Sequence, residues 1–277
     1  MTTPPTSSPI DLGTAYPLNP EQIANFRRDG FIKLKNVFSQ EELEPYRHEI
    51  TRQVKELSKD YAPLEKRSTY DQAFLQISNL WEHCALAREF AFGRRLARIA
   101  TELLGTRGVR MYHDQALYKE SGGGYTPWHV DQVYWPLSNE NTVTAWVPLH
   151  AVPLENGPLS FAVGSQKIRT NRDLVISEES EKQIAEQMKL SDCPVEESPY
   201  DLGEVSFHYG YTFHRAGPNR LEYPREVMTV IYMDSEMKLA EPKNENQRKD
   251  WERWCPGARR GEVIDSPLNP VLYERES

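Results

Sequence analysis

The 277-residue chain is 38% hydrophobic and 27% charged, enough apolar material for one large domain or two small ones around a sizeable core. A net charge of −8 with no run of Lys/Arg argues against a nucleic-acid surface, and no apolar stretch approaches the length of a membrane span. Cys84, Cys193 and Cys255 are isolated and odd in number, which argues against a disulfide framework or a zinc knuckle and fits a reducing, cytoplasmic setting.

Residues 1–18 are rich in Pro, Ser and Thr and are expected to form a mobile tail; they lack the basic region and apolar core of a secretory signal. Asn19-Pro20-Glu21 then opens a short helix that Gly30 ends, and Phe31–Leu34 reads as a strand. Ser39-Gln40-Glu41-Glu42 is a capping box, in which the hydroxyl and the Glu each satisfy an orphan backbone donor. Behind it Leu43, Tyr46, Ile50, Val54 and Leu57 recur at helical spacing. A second amphipathic helix carries Leu86, Phe90, Ile99 and Leu103 and closes at Gly105. These helices, over about 19–106, are expected to buttress a sheet.

From Val109 onward the period changes to two. Val109, Met111, His113, Gln115 and Leu117 would share one face of a strand, with Arg110, Tyr112, Asp114 and Tyr118 on the other. After the loop Glu120–Gly124 come a strand around His129, a strand at Val143–Val147, and an Asn156-Gly157 turn. Further strands are predicted at 204–207, 211–214 and 227–233, so residues 107–235 read as an all-β core. Residues 167–201 interrupt it with a polar helix over Glu178–Leu190, placed either as a lid over a site or as a surface excursion with no role. The extension 236–277 holds a polar helical stretch, Asn244–Trp254, and ends in Asn269–Tyr273, expected to dock back on the body. Residues 19–277 thus form a single domain.

His129-x-Asp131 places an imidazole and a carboxylate two residues apart, hence on one face of an extended strand. That is two thirds of the 2-His-1-carboxylate set that holds non-haem Fe(II) with open positions. With 7 His and 41 acidic residues, about one such pair arises by chance, so the pair needs support. A carboxylate facing a barrel interior is costly unless paired or bound to metal, which favours a role for Asp131. Two candidates exist for the second imidazole, His208 and His214. The run from His214 through Ala216-Gly217-Pro218-Asn219 to Arg225 sets a guanidinium eleven residues after the second of them.

The His-x-Asp pair, the distal His with its small-residue turn and Asn, and the Arg at that offset resemble the phytanoyl-CoA dioxygenase family of Fe(II)- and 2-oxoglutarate-dependent oxygenases, over about Ile23 to the end. The resemblance implies a double-stranded β-helix, that is a cupin-like jelly roll, giving a mainly β fold with helical buttresses. It selects His214 over His208 and implies Fe(II) on His129, Asp131 and His214. It implies 2-oxoglutarate as cosubstrate with Arg225 on its distal carboxylate, and molecular oxygen as oxidant. Succinate and carbon dioxide would be released as a small metabolite is oxidised, most simply by hydroxylation. Asp131 stands where related halogenases carry a small residue, which favours oxidation over halogenation. Relatives often have Ser at the position of Ala216, so a contact there must be made differently.

By position Trp146 resembles the family Trp lining the cosubstrate pocket, and Gln115 and Met111 share the predicted inward face. Trp135, Tyr134, Gln132 and His113 are candidates for the substrate wall, although aromatic stripes are also core. Two rivals use the same residues: a metal-dependent cupin-like isomerase or hydrolase with a Lewis-acid ion, which needs no Arg225, and a non-catalytic jelly-roll binding protein.

Overall fold

The computed structural model describes residues 12–67 and 72–276. The expected tail therefore lies outside the described residues as far as position 11. Residues 12–18 are laid on the body: Leu12 is buried, its carbonyl accepts from the Arg95 backbone N–H, and the Arg95 guanidinium donates to Thr14 O.

Helix α1 (Pro20–Asp29) begins at Asn19, whose side chain and that of Gln22 cap each other's backbone N–H, and ends at Gly30 with φ 88°. Strand β1 (Phe31–Leu34) and helix α2 (Gln40–Leu57) follow, the latter opened by the Ser39/Glu42 capping box and burying Leu43, Tyr46, Ile50 and Val54. The predicted second amphipathic helix is two: α3 (Ala85–Ala91) and α4 (Arg94–Leu104), broken at Phe92-Gly93. A Cβ at Gly93 would stand 3.1 Å from Phe90 O and 3.3 Å from the Leu12 Cβ, so close approach of the N-terminal segment puts glycine there.

Among the described residues the strands form two antiparallel sheets. The larger runs β1-β8-β5-β10-β3-β11, from β8 (Val205–Tyr209), β5 (Thr142–Pro148), β10 (Arg225–Asp234), β3 (Gly108–Lys119) and β11 (Val271–Glu274), with β2 (Leu75–Ser78) also on β3. The smaller runs β4-β9-β6-β7, from β4 (Thr126–His129), β9 (His214–Ala216), β6 (Leu159–Ala162) and β7 (Val195–Glu197). Helices α1 to α4 cover the outer face of the larger sheet, where Phe26, Ile50, Phe90 and Leu103 join Ala116, Val143, Phe207 and Met228 in the main core. The inner faces meet through Phe31, Trp146 and Val227 on one side and Phe161, Leu159 and Ala216 on the other, with Phe31 and Phe161 stacked at 4.3 Å. This is a jelly roll.

The insert is fastened down. Helix α5 (Glu178–Leu190) buries Ile184 and Met188 with Trp128 and Phe213, and Glu181 accepts from the Trp128 backbone N–H at 2.6 Å. Helix α6 (Glu245–Trp254) packs on the turn at 131–134, where Gln247 donates to Val133 O, and β11 pairs with β3. Among the described residues no helix is long and apolar enough to cross a membrane.

Candidate active site

Between the sheets lies a cavity of about 440 Å³. One end is built by β4 and β9, whose register sets His129 directly opposite His214. Strand β4 ends at His129, and Val130 stays extended, so Asp131 still turns to the same side although it begins a 3-10 turn instead of continuing a strand. The Asp131 Oδ1 lies 3.6 Å from Nε2 of both imidazoles, and the three ligand atoms are all within 4.8 Å of one another.

The lone pairs are aimed. His129 Nδ1 donates to Pro127 O at 2.8 Å and His214 Nδ1 to Thr212 O at 3.0 Å, and since a carbonyl can only accept, each Nε2 is left as an acceptor facing Asp131. Burial is the largest influence on both imidazoles, with neighbouring His214 and His208 respectively adding to it; each is lowered to about 4 and is neutral at pH 7. Burial opposes charge on Asp131, but the imidazoles of His214, His208 and His129 outweigh it and keep the carboxyl ionised. Its Oδ2 accepts from Thr144 Oγ1 at 2.9 Å and from His208 Nε2 at 3.1 Å. His208, on the opposite sheet, is thus a partner of the carboxylate, and Oδ1 alone is free to face the imidazoles. Two neutral imidazoles and one ionised oxygen suit a divalent ion such as Fe(II).

The other end holds Arg225, 2% exposed, at the start of β10. Its Nη1 donates to Gly157 O, its Nε has no partner among the described residues, and its guanidinium carbon lies 5.2 Å from the Trp146 ring. Burial lowers it to about 10, which leaves it a cation at neutral pH. Gly157 has φ 70°, and a Cβ there would meet Gly217 O at 2.3 Å.

Of the remaining sequence candidates, Trp146, Gln115, Trp135, Tyr134 and His113 all line the cavity. Met111 does not. The β3–β10 register slips between Ile231 and Tyr232, so one extra residue of β3 reverses the alternation. Met111 therefore packs into the helical core, while Tyr112 turns toward Trp135 and Trp254. Gln132 is also displaced: in the 3-10 turn it is buried, donates to Asn139 O and accepts from Thr142 Oγ1. Sequence reading missed Thr126 and Thr144, Gln76 and Ser78 on β2, and Asp250 and Trp254 on α6, all on the cavity wall. Thr144 carried a signal, since it stands two residues before Trp146 on one strand.

A jelly roll whose cavity converges two imidazoles and a carboxylate at one end and buries a guanidinium at the other has the architecture of a non-haem iron oxygenase. The family model for phytanoyl-CoA dioxygenase (PhyH) matches residues 26–227. A phytanoyl-CoA dioxygenase domain-containing protein 1 homologue of Caenorhabditis briggsae is 21% identical over 260 residues, covering 76% of this chain and 90% of that protein. The crystal structure of the non-haem α-ketoglutarate-dependent carbocyclase SnoK from nogalamycin biosynthesis is similar with a TM-score of 0.75 at 23% identity, covering 92% of this chain and 97% of that one. That of EctD from S. alaskensis with 2-oxoglutarate and 5-hydroxyectoine gives 0.68 at 21% identity, with 94% and 91% covered. The chain belongs to the phytanoyl-CoA dioxygenase family and so to the oxidoreductases that use non-haem iron and 2-oxoglutarate.

Proposed function

We propose that the protein hydroxylates a compact metabolite, with Fe(II) held by His129, Asp131 and His214 and the distal carboxylate of 2-oxoglutarate held by Arg225. The observation that carries this is the polarity of one cavity: three metal-ligand atoms within 4.8 Å at one end and, among the described residues, a buried guanidinium without a carboxylate partner at the other. A guanidinium fork matches a carboxylate in a bidentate pair, and burial strengthens the attraction. When held by these residues, iron and 2-oxoglutarate would supply the oxidising chemistry, by which oxygen is used to remove hydrogen from carbon with release of succinate and carbon dioxide.

The chain's part is placement and exclusion of water. Burial keeps both imidazoles neutral and ready to ligate at pH 7, and Thr144 with His208 fixes which carboxylate oxygen is presented. Trp135, Tyr134, His113 and Trp254 form an aromatic wall beyond the ligands, with Asp250 and Arg253 as polar groups at its edge. That wall suits a ring-bearing molecule with a polar end. The similar solved structures include a carbocyclase and a complex with 5-hydroxyectoine, so ring closure is the second outcome this apparatus supports. Three free cysteines agree with a cytoplasmic setting.

The test is a metabolite screen for substrate-dependent succinate release and oxygen uptake with added Fe(II). His129→Ala and Arg225→Met should each abolish it, while the Arg225 variant still binds metal. A Lewis-acid isomerase or hydrolase would survive loss of Arg225, and turnover of acyl-CoAs alone would overturn the compact substrate.

A further inference from the structure

Strand β4 stands at the edge of the smaller sheet, with β9 as its neighbour, and it ends at His129. The ladder between the two slips between Thr126 and His129. An edge strand leaves one row of backbone N–H and C=O groups unpaired, so β4 by itself would hold its histidine loosely. Helix α5 supplies what a further strand would. Glu181 Oε2 accepts from the Trp128 backbone N–H at 2.6 Å, and Ser180 Oγ lies 3.4 Å from Trp128 O. The other oxygen of Glu181 accepts from Arg215 Nη1 at 3.1 Å, and that guanidinium lies over the Trp128 ring at 4.9 Å. One carboxylate thus joins the residue before His129 to the residue after His214.

Successive side chains of a strand leave opposite faces. His129 and His214 line the cavity, while Trp128 and Phe213 pack outward with Ile184 and Met188 of α5. The insert is therefore a back-plate behind both imidazoles. Of the two contacts Glu181 makes, the ion pair contributes little, because the Arg215 side chain is 41% exposed. Trp128 is 2% exposed, and its N–H would be a buried orphan donor without the carboxylate. We propose that Glu181 is a positioning residue of the metal centre: acting through the Trp128 N–H, it fixes the edge strand so that His129 stays opposite His214. This rests on the assignment of His129 and His214 to a metal.

The experiment is anaerobic competition titration of Co(II) into the metal-free full-length protein, with the Co(II) absorption bands recorded at saturation. Leucine keeps the bulk of the side chain and removes the acceptor. Glu181→Leu should bind Co(II) about tenfold more weakly or worse, the lower end of what an outer partner of a ligand contributes, with shifted bands. Glutamine can still accept from Trp128, so Glu181→Gln should stay within about threefold of wild type with unchanged bands, having lost the partly exposed ion pair. Ile50 is buried in α2 within the helical core, so Ile50→Ala should lower the Tm yet bind Co(II) as the wild type does. Hydrogen exchange reads the contact directly: the Trp128 amide of the wild type should be protected although it lies on an edge strand. An unprotected amide there overturns the proposal whatever the variants do. So does Co(II) affinity within about twofold of wild type in Glu181→Leu, or an equal loss in Glu181→Gln or Ile50→Ala. Failure of the underlying assignment looks different: the wild type would not bind Co(II), or His129→Ala would bind it unchanged.

Discussion

Thr144→Val tests whether the carboxylate ligand is presented by its neighbours. Valine keeps the shape and removes one donor to Asp131 Oδ2, where the Thr144 hydroxyl sits at 2.9 Å and His208 Nε2 at 3.1 Å. Thr144 is 4% exposed, so water cannot easily replace the lost donor. A hydrogen bond to a charged group contributes about 1.5–3 kcal/mol, and loss of an outer partner of a metal ligand costs about 10–100-fold in metal affinity. The expected result is Fe(II) or Co(II) binding weaker by about 10–100-fold in anaerobic competition titrations, with activity largely recovered at saturating metal. His208→Phe should have a comparable effect, and the double variant should fall short of the product of the two, because both donors serve one oxygen. Metal affinity within about twofold of wild type in Thr144→Val would refute the reasoning, since the outer partner would then carry none of the expected 10–100-fold.

Two other substitutions probe the cosubstrate end and the fold. Gly157→Ala forces a Cβ into Gly217 O at a residue with φ 70°, so it should cost about 2 kcal/mol or more of stability, read by denaturant melts. Because the Gly157 carbonyl holds Arg225, the same variant should raise the KM for 2-oxoglutarate while leaving metal affinity unchanged. Asp114 is fully buried, accepts from the Leu80 and Trp81 backbone N–H groups, and is raised by burial to about 7. Its stabilising share is therefore complete below pH 4 and lost as pH rises through 7, a change of at most about 4 kcal/mol at roughly 1.4 kcal/mol per pKa unit. Asp114→Asn should flatten that dependence, so the Tm deficit of the variant at pH 5 should shrink or reverse at pH 8.

What could be read from the chain was whatever is written locally. Asn19, Ser39, Gly30 and Gly105 announce helix ends because capping needs only neighbouring residues, and α1 begins and ends, α2 begins and α4 ends where those signals stand. His129-x-Asp131 is local too. The facing of His129 and His214 is a long-range register, and only the family pattern picked His214 over His208. The failures share one cause, which is tertiary geometry overriding a local period. One extra residue between Met111 and His113 moved Met111 from the cavity to the core, and no composition marks that slip. A 3-10 turn took Gln132 out of the substrate wall, and the break at Gly93 answers to Leu12, some eighty residues away. Helix α6 was visible as a polar helix, but its place at the cavity mouth depends on how the C-terminal segment folds back.

The same slip in β3 bears on the chemistry. Beyond it toward the strand's end, His113, Gln115 and Leu117 line the cavity, and Lys119 follows at the same parity beside Arg225. Before it, Val109 and Met111 serve the helical core. One strand thereby supplies apolar surface to the buttress along its first part and polar or charged groups to the cavity along its second. The cavity that results carries an ionised carboxylate between neutral imidazoles at one end and a buried guanidinium at the other. Among the described residues each end lacks a counter-charge of opposite kind. A divalent cation satisfies the first and a carboxylate the second, and with the cation in place a dicarboxylate would reach from it to the guanidinium. Of the readings in play, the oxygenase alone requires both unmatched ends: a Lewis-acid enzyme needs only the first, and a passive binding protein has no call to bury either.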